Sequence, residues 1–157
     1  MSQTDKKTDD PILQWVSCKL DGETYGINVM QVQEVLRITD IAPVPGSPSY
    51  VLGIINLRGN VVTVVDTRQR FGIASKENND LSRIIIVEVN NNVLGMLVDS
   101  VAEVVYLHQS EIDSVPTVSS DESTRFIQGV SSTNGKLLIL IDIDKFLADS
   151  EKNSLDF

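Results

Sequence analysis

An internal repeat constrains this chain more than any other feature, because a duplicated unit must fold twice into the same local structure. The segment Tyr25-Gly26-Ile27 to Val32-Gln33-Glu34-Val35 matches Leu94-Gly95-Met96 to Val101-Ala102-Glu103-Val104 with the same spacing. Further on, Ile41-Ala42-Pro43-Val44-Pro45 matches Ile112-Asp113-Ser114-Val115-Pro116, and Gly53 to Asp66 matches Gly129 to Asp142 without a gap. The copies differ in their connecting loops, where insertions cost little. The first copy covers about residues 13–80 and the second about 81–148 of a region running from 11 to 148.

Each copy reads as β structure. Trp15, Ser17 and Lys19 alternate with Val16, Cys18 and Leu20, the pattern of a half-buried strand, and Asp21-Gly22 marks a hairpin turn. Val61 to Val65, Ile84 to Val89 and Leu137 to Ile141 are short apolar runs rich in β-branched residues, each preceded by a turn or polar loop. The expected class is all-β, with short helical pieces at Val29 to Leu36, Asp99 to Val104 and Asp144 to Leu147. The two units form either a pair of small barrels or sandwiches packed on each other, or one larger barrel. Residues 1–10 and 149–157 are polar and read as a flexible arm and tail.

Composition removes several function classes. A net charge of −9 with scattered basic residues argues against a nucleic-acid surface, which needs clustered Lys and Arg. There is no apolar run long enough to span a bilayer and no apolar signal-peptide core, so a cytoplasmic protein is expected. The single cysteine, Cys18, has no internal disulfide partner, and its apolar strand face favours an inert thiol over a nucleophile.

Catalytic and metal motifs are wanting. His108 stands alone, and neither a Cys/His cluster nor a phosphate-binding glycine loop is present, so no cofactor or metal is expected. The one enzymatic constellation is Asp66 with Asp142, equivalent acids that could in principle share a proton as in an aspartic protease. Neither is followed by the residues of those enzymes, and capping of a following helical turn is the favoured reading. The copies differ at one turn: Leu57-Arg58-Gly59 in the first stands against Thr133-Asn134-Gly135 in the second. Asn-Gly is a self-sufficient hairpin turn, whereas Leu57 and Arg58 set an apolar anchor beside a planar cation, a pairing common in binding surfaces.

From Leu13 to Leu147 the chain resembles the CheW family of chemotaxis coupling proteins, through Tyr25-Gly26-Ile27, Val32-Gln33-Glu34-Val35, Gly53-Ile54-Ile55-Asn56-Leu57-Arg58-Gly59, Val64-Val65-Asp66 and Gly95-Met96-Leu97-Val98-Asp99. The resemblance implies two five-stranded SH3-like β-barrels around a shared apolar interface, and a non-catalytic adaptor that couples methyl-accepting chemoreceptors to the histidine kinase CheA, the alternative being the same adaptor in another chemosensory pathway. It implies a receptor-binding set of Val29, Val32, Glu34, Arg58, Ile84, Gly95, Val101 and Val104, with Glu34 and Arg58 as an acid–base pair. It also implies a set for the kinase's regulatory domain of Val35, Leu57, Arg58 and Gly59, and recruitment from the cytoplasm to membrane-associated arrays. One departure is Thr63, where many relatives carry proline. The related CheV proteins carry an appended phosphoacceptor domain, for which a chain ending at Phe157 has no room.

Overall fold

The structure, a computed structural model, describes residues 10–74, 76–115, 125–133 and 135–146. The expected arm up to residue 9, the tail, and Pro116, Asn134 and Leu147 from the sequence reading lie outside these residues. Among the described residues ten strands carry the fold: β1 (Ile12–Leu20), β2 (Glu23–Asn28), β3 (Val32–Arg37), β4 (Val51–Leu57), β5 (Asn60–Asp66), β6 (Arg83–Val89), β7 (Asn92–Val98), β8 (Ser100–His108), β9 (Ile127–Thr133) and β10 (Lys136–Ile141). A short helix α1 (Thr67–Arg70) follows β5, and single 3-10 turns occupy Val29–Gln31 and Gln109–Glu111.

The strands form two five-stranded sheets, ordered β8-β1-β2-β10-β9 and β3-β6-β7-β5-β4. Their hydrogen-bonded orders are open, so the expected β units are sheets and not closed barrels. The sheets also do not follow the two copies. Each takes two strands from one copy and three from the other, because the chain crosses between sheets after β2 and again after β7.

The repeat is visible strand by strand. In the first sheet β2 runs parallel to β10 with Gly26 opposite Leu140, and in the second β7 runs parallel to β5 with Gly95 opposite Val64. A Cβ on Gly26 would come within 3.0 Å of Leu140 and 3.4 Å of Trp15; one on Gly95 would come within 3.2 Å of Val64 and 3.0 Å of Ile84. Gly53 and Gly129 likewise lie against equivalent backbone, at Ala42 and Asp113, and both segments are fixed by isolated bridges. The amide of Asp66 donates to the Tyr50 carbonyl, as that of Asp142 does to Phe126, each at 2.7 Å. The equivalences Gly26/Gly95, Gly53/Gly129 and Asp66/Asp142 therefore hold at the level of register.

Three apolar clusters follow from this layout. Ile55, Val62, Val64, Ile84, Ile86 and Leu97 fill one face of the second sheet, and Trp15, Leu107, Leu138 and Leu140 one face of the first. Between the sheets lies the largest cluster, with Cys18, Leu20 and Ile27 from one side, Ile85, Val87 and Met96 from the other, and within it Phe71 stacked on Phe126 with Phe146 edge-on to both.

Two helical expectations are overturned. Beyond the single turn at Val29–Gln31 the chain is strand β3, and Ser100 onward is strand β8. Both segments are rich in valine and pair along a neighbour, β3 with β6 and β8 with β1, which satisfies their backbone groups better than a short isolated helix would. The third, at residues 143–146, is helical over its described part.

Candidate binding surfaces

The β4–β5 connection is a two-residue turn in which Arg58 has φ +51° and Gly59 φ +87°. Positive φ at both central positions gives the hairpin turn whose twist matches the flanking strands. Gly59 is the usual occupant of such a position and Arg58 is not, since its Cβ crowds the backbone there. Asn56 supports the turn: its Oδ1 accepts a hydrogen bond from the Gly59 amide at 2.9 Å. The Arg58 guanidinium then reaches back to β3 and forms a two-pronged ion pair with Glu34, one arm at 3.3 Å. The Arg58 side chain is 70% exposed, so the pair is a surface feature. It contributes at most about 1 kcal/mol of stability and mainly orients the cation.

Beside this turn runs a groove of about 450 Å³, walled by Leu57, Arg58, Val61, Thr63, Asn92 and Val93 among others. It opens where the parallel strands β5 and β7 begin. Leu57 is half-buried on the second sheet's apolar cluster, while Val61 is exposed. Thr63 lies in β5 between β4 and β7 and pairs with both.

The valines of β3 and β8 lie on edge strands of the two sheets. Val32 and Val35 stand opposite Val87 and Ile85 of β6, and Val101 and Val104 stand opposite Cys18 and Val16 of β1. In both places the edge strand carries an extra residue, a β-bulge, so valines three apart in sequence come to the same face. Val32 and Val101 pack against the core between the sheets, whereas Val35 and Val104 are 39% and 40% exposed. On β8 the row is extended by exposed Tyr106 and by Ile12 of β1.

The remaining sequence candidates distribute plainly. Glu34 and Arg58 are brought together; Val35 lies one residue beyond Glu34, and Leu57 and Gly59 flank Arg58. Val29 is half-buried in its 3-10 turn. Ile84 and Gly95 are interior neighbours, so any part they play in a surface is to set its shape. Asn56, Val61, Tyr106 and the amide side chains of the groove carry no role in the sequence reading. A positive-φ turn with a bulky central residue is the signal that points to Asn56, and nothing in the sequence alone exposes the others.

The chemical candidates resolve as structural groups. Asp66 caps α1, its Oδ1 accepting from the Arg68 amide at 3.0 Å, and Asp142 accepts from the Lys145 amide at 3.2 Å. Asp66 and Arg68 are both buried, and the Arg68 guanidinium also meets Asp99 at 3.0 Å. Asp99 in turn accepts from the Asp21 amide, which ties the second crossover to the β1–β2 hairpin. Burial, with the Asp99 charge as a lesser cause, pushes the Cys18 thiol up to about 12, away from thiolate chemistry. His108 is on the surface, its Nδ1 3.7 Å from the Asp10 carboxylate, which the Ser110 amide holds below the usual carboxylate range. Among the described residues no group of three or more His, Cys, Asp or Glu side chains is placed to hold a metal, and no helix is long and apolar enough to cross a membrane.

Comparison with known proteins places this arrangement. The CheW-like domain family matches residues 14–151. The chain is similar to the chemotaxis protein CheW of Treponema pallidum, 33% identical over 93% of this chain and 88% of the relative, and to that of Bacillus subtilis, 33% identical over 86% of each. It is 31% identical to the CheW protein of Rhizobium meliloti over 88% of this chain and 90% of the relative. Among solved structures, the scaffolding protein TtCheW from Thermoanaerobacter tengcongensis superposes with a TM-score of 0.78 at 36% identity, covering 83% of this chain and 89% of that one. With the repeat, the exchanged sheets and the Asn-Leu-Arg-Gly turn in place, the chain belongs to the CheW family of chemotaxis scaffold proteins.

Proposed function

We propose that the protein is a two-faced adaptor that works by binding alone, coupling the cytoplasmic tip of methyl-accepting chemoreceptors to the regulatory domain of the histidine kinase CheA. What supports the reading is that the chain carries two chemically unlike exposed features, a charged turn and an aliphatic row. One is the charged turn of Leu57, Arg58 and Gly59 beside its groove, with Glu34 of β3 holding the cation. The other is the aliphatic row begun by Val101 and Val104, related by the repeat to Val32 and Val35.

An aliphatic row suits the apolar stripe of an amphipathic receptor helix, which needs little more than a matching apolar surface with a polar rim. The turn suits a folded partner, since a planar cation held by Glu34 offers donors in a fixed direction at small entropic cost. Each contact alone is modest. An array joining many of them gains strength through effective concentration, which fits recruitment of a cytoplasmic protein to membrane-associated receptors.

Two substitutions test this. Val104→Asp is expected to impair binding of a receptor tip fragment by about tenfold or more while leaving the kinase domain bound, and Leu57→Asp to do the reverse, a charge in an apolar contact costing about 2 kcal/mol or more. Circular dichroism of both proteins must first show native folding. Equal losses for both partners in both proteins would defeat the two-surface reading.

A further inference from the structure

The turn that presents Arg58 holds a residue that an L side chain other than Asn or Asp rarely occupies. Arg58 sits at φ +51° with no compensation from its own side chain, which is committed to Glu34. Backbone outliers of this kind persist where neighbouring groups hold them, and they concentrate at functional positions. The neighbouring group here is Asn56. It is exposed, makes no contribution to an apolar cluster, and places Oδ1 on the Gly59 amide at 2.9 Å.

The second copy supplies an internal control. There the turn sequence is Asn134-Gly135, and asparagine enters the left-handed region on its own. Ser132 stands where the first copy has Asn56. In sequence, the copy with asparagine at the central position has serine in place of the amide, and the copy with arginine there has Asn56.

We infer that Asn56 is a positioning residue for partner binding: its side chain holds the turn in the conformation that keeps the Arg58 guanidinium on Glu34 and aimed at the partner. This rests on the reading that the Arg58 turn meets the kinase's regulatory domain. Asn56 itself touches no partner. Its loss therefore matters only through Arg58.

A double-mutant cycle on the full chain tests it, with the purified kinase regulatory domain as probe. Asn56→Ala is expected to weaken binding about fivefold, the worth of one hydrogen bond, with the melting temperature almost unchanged. Asn56→Asp, which keeps the acceptor, is expected to retain most of the affinity. In an Arg58→Ala background, Asn56→Ala is expected to cost nothing further. In the free protein, amide exchange at Gly59 should quicken in Asn56→Ala and the Arg58 backbone coupling should leave its left-handed value. Additive losses in the cycle, or wild-type affinity for Asn56→Ala, would overturn the inference. Full affinity in Arg58→Ala alone would instead sink the docking reading, and the spectra of the free protein would then decide by themselves whether Asn56 positions Arg58.

Discussion

At the ends of β5 and β10 two aspartates occupy equivalent places, yet their surroundings differ in burial and charge. Asp142 caps a helical turn from a half-buried site, through the Lys145 amide. Asp66 does the same for α1 and in addition faces the Arg68 guanidinium at 3.1 Å, both side chains being almost wholly buried. A cap is worth about 1 kcal/mol, and Asp66 in addition supplies one of the two carboxylates on the buried Arg68 guanidinium, which would keep only Asp99. Asp142→Ala should therefore lower the unfolding free energy by about 1 kcal/mol and Asp66→Ala by clearly more, as read from urea denaturation. Similar losses for the two would contradict the assignment of Arg68 to this pair. The same comparison answers the notion of a shared-proton acid pair. The two carboxylates follow strands of different sheets, and the Oδ1 of each accepts from an amide of its own helical turn.

The secondary-structure elements show how far the sequence could be read. Short β-branched runs such as Ile84 to Val89 announced β6, β5 and β10, and Asp21-Gly22 announced a hairpin whose two residues both have positive φ. The edge strands β3 and β8 were legible only as helices, for a physical reason. Val32 with Val35, and Val101 with Val104, are spaced as on one face of a helix, and a β-bulge in each edge strand reproduces that spacing on a sheet. Periodicity cannot tell the two apart. Strand exchange was illegible as well, since a repeat states that two copies are alike and not whose strands they pair with. At the binding surfaces the Glu34–Arg58 pair was legible by resemblance alone, because nothing local links a strand residue to a turn beyond a long loop. The groove and the exposed Tyr106 and Ile12 depend on which strands meet, and were not legible at all.

In the whole molecule neither copy is a folding unit. The first sheet needs β1 and β2 from the first copy beside β8, β9 and β10 from the second, and the core between the sheets draws on both. Arg68 and Asp99 add a polar tie across a crossover, reaching the β1–β2 hairpin through the Asp21 amide. Fragments 1–80 and 81–157 should each show little β signal by circular dichroism when alone, and should regain it on mixing, because each isolated half leaves sheet edges and apolar faces uncovered. A stably folded lone half would contradict the exchanged arrangement. The most direct test is sedimentation of the wild-type chain with a receptor tip fragment and the kinase regulatory domain together. A single complex containing all three is expected, with the affinity for either partner undiminished by saturation with the other. Mutually exclusive binding, each partner displacing the other, would contradict it.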